Sequence, residues 1–150
     1  MDERARRLCW HGMFLFLIGL ATGLAVPQLT NSRMGLAAHL EGVMNGTFLL
    51  ALGAAWGHVR LSPRAAQVAF AGALYGAWAN WATTLTAAAL GTAALTPLAS
   101  GAHRGLPWQE ALVTAGFVSV ALAMLLSAAL FLRGLGSRAA DAGPGGSVRP

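Results

Sequence analysis

Within the stretch Ala38-His39-Leu40-Glu41-Gly42-Val43-Met44-Asn45-Gly46, an imidazole, a carboxylate and a carboxamide fall inside two turns of an otherwise apolar run. Polar and ionisable groups at membrane depth are costly, so they mark functional positions by default. His39 suits three roles: an iron or haem ligand, a general base, or a hydrogen-bonded structural histidine. Glu41 suits a proton carrier; near a membrane interface it equally suits pairing with Arg33 or Arg104. Asn45 can orient a substrate oxygen or bond a neighbouring helix. No second histidine lies three or four residues from His39, and no Glu-x-x-His pair exists, so the pattern does not support a protein zinc or di-iron site.

A second polar line follows at Gly72, Gly76, Asn80 and Thr84, with Thr83 beside it and Tyr75, Trp78 and Trp81 on neighbouring surfaces. Aromatic side chains beside an amide and hydroxyls form a plausible wall for an aromatic substrate. The same residues also serve as polar glue and packing between membrane helices. His11 reads as an interfacial residue at the start of the first apolar run, or as a contact for a buried cofactor through Trp10-His11-Gly12. His58 and His103 fall in or beside loops. Glu110 follows Pro107 at the start of a helix, where a carboxylate is ordinary. No Gly-x-Ser-x-Gly nucleophile arrangement is present.

Apolar segments must carry these groups. The chain has 150 residues, 56% hydrophobic and 10% charged. Four runs, at about 8–26, 37–56, 65–90 and 111–132, each approach or exceed the roughly 20 residues that cross a bilayer. Open strands cannot exist in lipid, so an all-α, integral membrane four-helix bundle is expected. Domain organisation follows as a four-span unit over 1–133 and a disordered tail over 134–150. All ten basic residues are arginine. The absence of lysine excludes Schiff-base and P-loop chemistry. The arginines sit at the ends of apolar runs rather than in a patch with interleaved aromatics, so nucleic acid is not expected. Eight of them lie at the termini and second loop, and two in the first and third loops. That bias places both termini in the cytoplasm of a multi-pass inner-membrane protein. Trp10, Trp56 and Trp108 lie at run ends, as an interfacial belt would. Cys9 is alone and forms no internal disulfide. The Gly-x-x-x-Gly pairs 19/23, 42/46, 53/57 and 72/76 let helix backbones approach closely. Small or polar residues on two faces of the second span point to a homo-oligomer.

Four segments carry a resemblance. Trp10-His11-Gly12-Met13, Met34 through Gly46, Tyr75-Gly76-x-Trp78-Ala79-Asn80-Trp81 and Pro107 through Val113 resemble the hydroxylaminobenzene mutase family. A more distant similarity is to styrene oxide isomerase, another small four-span isomerase. The resemblance implies rearrangement of an aryl hydroxylamine to an aminophenol without external redox equivalents. It also implies a homotrimer with ferric b-type haem between subunits, ligated by His39 and acting as a Lewis acid. By the same resemblance Asn45 and Asn80 orient the substrate, Glu41 moves a proton, and Tyr75, Trp78, Trp81 and Thr84 line the ring. Gly42, Gly46 and His11 would then adjoin the flat macrocycle. Two positions depart from the isomerase pattern: Thr84 stands where that family has tyrosine, and Gly76 where it has aspartate. Epoxide isomerisation is therefore the alternative activity.

Two further alternatives belong to other classes. An electron-carrying haem protein commonly needs two strong axial ligands, and the chain offers one well-placed histidine. A small multidrug transporter places its membrane carboxylate in the middle of the first span, which here has none.

Overall fold

The computed structural model describes residues 2–140, and these are helical almost throughout. The long helices are α1 (Glu3–Ala25), α2 (Ser32–Ala55), α3 (Pro63–Leu90) and α5 (Pro107–Ala140), with a single-turn α4 (Pro97–Ser100) in the loop before α5. Short 3-10 turns at Val26–Gln28 and Trp56–His58 follow α1 and α2.

Capping explains where the helices start. The Asp2 carboxylate accepts from the Arg4 amide, Asn31 Oδ1 accepts from the Arg33 and Met34 amides, and Ser62 Oγ accepts from the Ala65 amide. Each side chain satisfies an amide that the first helical turn leaves unpaired. Helix α3 stops at Gly91, whose φ of 66° is the left-handed conformation that glycine adopts freely. Helix α5 is continuous to Ala140, past the position where the sequence predicts a disordered tail to begin. The remainder of that expected tail, 141–150, lies outside the described residues.

The four long helices run up, down, up and down. At one end the Arg60 amide donates to the Gly134 carbonyl and Arg4 Nη2 donates to Gln67 Oε1. At the other end the Asn31 amide donates to the Ala88 carbonyl and Thr30 Oγ1 to the Ala89 carbonyl. Helix α1 packs on α2, α2 on α3, and α3 on α5, with lighter contact between α1 and α3. Any contact between α1 and α5 among the described residues is slight. The helices thus pack mainly in sequence order, as a row with α2 and α3 in the middle.

Small residues make the helix interfaces. Ala69, Ala73 and Ala77 of α3 are wholly buried, along with Leu8, Leu15 and Leu49. A Cβ on Gly42 would sit 2.5 Å from Gly19 Cα, so α1 and α2 cross backbone to backbone. Trp56 departs from the interfacial role that its position at a run end predicts. It is buried, with its ring edge-on to Phe70 at 6.0 Å and to Phe131 at 5.6 Å. Trp10 and Trp108 are exposed.

The outward faces are apolar. Leu17, Leu20 and Leu24 of α1 and Leu122, Leu125, Leu126 and Leu132 of α5 are all exposed. Glu3–Gln28 and Pro107–Gly136 are long and apolar enough to cross a membrane. Helices α2 and α3 span 24 and 28 residues and carry the polar groups between those flanks.

Candidate active site

Glu41 gathers two carboxamides around one oxygen. Asn45, one turn further along α2, donates its Nδ2–H to Glu41 Oε2 at 3.0 Å. Asn80, on α3, donates its Nδ2–H to the same oxygen at 2.5 Å. The i,i+4 spacing puts Glu41 and Asn45 on one helical face. Asn80 reaches them because α2 and α3 pack against each other. The polar groups of the two helices therefore meet at one depth. Neither Arg33 nor Arg104 supplies the partner of Glu41; two amides do. Asn45 is buried, while Glu41 and Asn80 are half-buried.

His39 looks the other way, toward α1. Its Nδ1 lies 2.8 Å from the Gly19 carbonyl oxygen. A carbonyl only accepts, so Nδ1 carries a proton, and in the neutral ring that tautomer leaves the lone pair on Nε2. A backbone carbonyl on the far nitrogen is the usual device that orients a ligating imidazole. The ring sits against Gly23, where a Cβ would come within 2.8 Å of Nδ1. Half-buried, with Nδ1 engaged and Nε2 on the other side of the ring, His39 fits the requirements of a single haem ligand. Among the described residues no group of three or more His, Cys, Asp or Glu can hold a metal ion.

The glycines beside it serve a different end from the expected ledge for a flat macrocycle. A Cβ on Gly42 would meet Gly19 Cα and Trp81 Cδ1, and one on Gly46 would meet the Phe16 amide nitrogen and the Gly12 carbonyl. Helix α1 already fills that space. Gly42 and Gly46 are helix-packing positions in this chain.

The aromatic wall divides. Trp81 Nε1 donates to Thr22 Oγ1 of α1 at 3.2 Å, and Trp78 lies edge-on to it at 6.1 Å. His11 and Phe14 of α1 approach Trp78 with ring centroids at 6.1 and 5.7 Å. The His11 Nδ1 and Trp78 Nε1 atoms are buried without a hydrogen-bond partner. His11 is eight residues from Gly19, about 12 Å along the helix, so it stands well away from His39. Tyr75 belongs to another face: it is exposed, and its hydroxyl lies 2.7 Å from Ser119 Oγ of α5. It lines a groove of about 400 Å³ with Thr83, Thr86, Gly116 and Ser119, apart from Trp78 and Trp81. Three residues turn a helix by about 300°, so Tyr75 and Trp81, six apart, diverge by about 120°. The same drift separates Gly72 and Gly76, which face α5 at Ser127 and Met124, from Asn80, which faces α2. Thr84 is buried and donates to the Asn80 carbonyl of its own helix at 2.9 Å. Its hydroxyl proton is spent on the backbone.

Two further side chains order the loop end. The Glu110 carboxylate accepts from three backbone amides, those of Ala93, Ala94 and Gly105, at 2.8 to 3.0 Å. Asn31 caps α2 with its oxygen and donates from Nδ2 to the Ala99 carbonyl at 3.0 Å. Both tie the loop between α3 and α5. No local sequence signal distinguishes these side chains from ordinary helix-start residues.

Residues 4–136 match the family described as styrene oxide isomerase. Two curated proteins of Ectopseudomonas oleovorans are similar to the chain. Hydroxylaminobenzene mutase HabB is 47% identical over 134 residues, 89% of this chain and 82% of that protein. Hydroxylaminobenzene mutase HabA is 43% identical over 126 residues, 83% of this chain and 93% of that protein. No solved structure matches the chain.

Proposed function

The chain belongs to the styrene oxide isomerase family and its relatives are mutases; from that premise we propose that it rearranges an aryl hydroxylamine to an aminophenol within a membrane. The observation that carries this reading is the joining of Glu41, Asn45 and Asn80 at the contact between α2 and α3.

In the proposed reaction the N–O bond breaks and a C–O bond forms at a ring carbon. The hydrogen on that carbon leaves as a proton, and nitrogen gains one. Atoms and electrons balance, so neither oxidant nor reductant is consumed. Breaking N–O leaves positive charge spread over nitrogen and ring. The Glu41 carboxylate, fixed by two amides in a region of low polarity, stabilises that charge where water would not have to reorganise. Asn45 and Asn80 hold the N–H and O–H of the substrate, which limits the orientations from which oxygen returns to the ring. Trp78 and Trp81 bound the aryl group, and their faces attract the developing cation. The free second oxygen of Glu41 is placed to take up and return a proton.

His39 is the residue that would hold a haem, through Nε2. When bound, the iron would supply Lewis-acid polarisation of the N–O group. His11 is a weaker candidate for contact with the same group, because its ring is engaged with Trp10 and Trp78.

The reading includes four membrane spans, both termini in the cytoplasm of the inner membrane, and a homotrimer. Apolar side chains exposed along α1 and α5 support lipid or subunit contact, since soluble monomers rarely expose patches of this extent. Arg4, Arg6, Arg7, Arg60, Arg64 and Arg133 all lie toward one end of the row, which supports the orientation.

Membrane vesicles containing the chain, incubated with phenylhydroxylamine, are expected to yield an aminophenol. No product above that of vesicles without the chain would overturn the reading.

A further inference from the structure

We infer that Glu41 is the residue that makes this site selective for substrates bearing N–H and O–H donors, and that it excludes aryl epoxides. This deepens the proposed function and rests on it.

The argument starts from which atoms the cluster leaves unused. Glu41 Oε2 takes an N–H from Asn45 and another from Asn80. A carboxylate can only accept, so both amides must turn their nitrogen toward it and their oxygen away. Three acceptors remain without a protein partner: Glu41 Oε1, Asn45 Oδ1 and Asn80 Oδ1. None is sealed inside the chain, because the buried side-chain atoms lacking a partner are His11 Nδ1, Trp78 Nε1 and Thr92 Oγ1. Each of the three therefore keeps some exposure, and every side-chain group that the cluster leaves unused on Glu41 Oε1, Asn45 Oδ1 and Asn80 Oδ1 is an acceptor.

An aryl hydroxylamine matches such a surface with one N–H and one O–H. An aryl epoxide carries an oxygen that accepts and no donor at all. Bound here it would face carbonyl and carboxylate oxygens and leave them unpaired away from water. A site built to hydrogen-bond a substrate donor rejects the analogue that lacks it by about 10⁴- to 10⁵-fold. Glu41 reaches this result by setting the direction of both amides, so toward Asn45 and Asn80 it is a positioning residue. Lewis-acid chemistry alone would not separate the two substrates, because both present an oxygen bonded to an electrophilic centre.

Glu41→Gln tests the inference with nearly unchanged size. Glutamine brings its own N–H pair, which needs an acceptor, so one asparagine must turn its oxygen inward and its N–H outward. The cluster then offers a donor. The expected result is a loss of at least about 10²-fold in kcat/KM for phenylhydroxylamine, while inhibition by styrene oxide becomes stronger. Equal inhibition by styrene oxide in both proteins, or unchanged kcat/KM for phenylhydroxylamine, would overturn it.

A second measurement needs no variant. Aniline offers N–H donors and N,N-dimethylaniline offers none. Aniline is expected to compete with phenylhydroxylamine at a concentration at least about 10-fold lower. Equal competition would also overturn the inference. If the chain converts phenylhydroxylamine and shows no such preference, the inference alone fails. If it does not convert phenylhydroxylamine, the proposed function fails.

Discussion

Glu41 of α2 and Asn80 of α3 are 39 residues apart in sequence and joined by a hydrogen bond of 2.5 Å. The same carboxylate oxygen holds Asn45. Glu41→Ala removes the acceptor for both amides. Side-chain hydrogen bonds between membrane helices are worth about 1 kcal/mol, so a modest loss of unfolding stability is expected. The loss of activity should be far larger than the loss of stability. Unfolding in denaturing detergent, run beside aminophenol formation, separates the two.

Asn80→Ala and Asn45→Ala should each lower kcat/KM, and the double variant should lose less than the sum of the two. Both amides act through one oxygen, and residues that share a partner are not additive. Strict additivity would mean that the two asparagines work independently.

The crossing of α1 and α2 depends on Gly19 and Gly42. A Cβ on Gly19 would lie 2.6 Å from the Gly42 carbonyl carbon, backbone against backbone. Gly19→Ala or Gly42→Ala should therefore destabilise by about 1–3 kcal/mol. Gly57 is the control, since a Cβ there meets nothing within 4 Å. Gly57→Ala should fall within about 0.5 kcal/mol of the parent. Melting curves of the three variants in one detergent check the contrast.

Glu110 holds the loop after α3 by its bonds to the Ala93, Ala94 and Gly105 amides. In Glu110→Ala those amides should exchange hydrogen faster, and the loop should become more sensitive to protease. Aminophenol formation should persist, because Glu41 and Asn80 lie away from that loop. Loss of activity with normal exchange at these amides would assign Glu110 a chemical role instead.

His39 donates from Nδ1 to the Gly19 carbonyl, which leaves Nε2 as the nitrogen that can ligate. The purified protein should show a Soret band, and His39→Ala should lose it while keeping its helical circular dichroism. A full Soret band in His39→Ala would assign the ligand elsewhere.

The four long helices were legible because each apolar run is about the length of a bilayer crossing. The helices nevertheless extend past the runs, because Asp2, Asn31 and Ser62 cap backbone amides and hydropathy does not report capping. The pairing of Glu41 with Asn45 was legible from their spacing. Its completion by Asn80 was not, because it depends on the register between α2 and α3. Tyr75 was misplaced for a related reason: at 3.6 residues per turn, positions three or four apart drift around the helix. Its spacing suggests one wall with Trp78 and Trp81, yet its hydroxyl bonds Ser119 on α5. The Gly-x-x-x-Gly spacing predicts close helix packing, and α1 fills the space beside Gly42 and Gly46.

The most direct test is conversion of phenylhydroxylamine by vesicles carrying the intact chain, with no reductant or oxidant added. The account predicts an aminophenol in one-to-one yield from the hydroxylamine consumed, with the rate falling sharply in Glu41→Ala. Consumption that yields aniline or nitrosobenzene in place of aminophenol, or no consumption above empty vesicles, would contradict it.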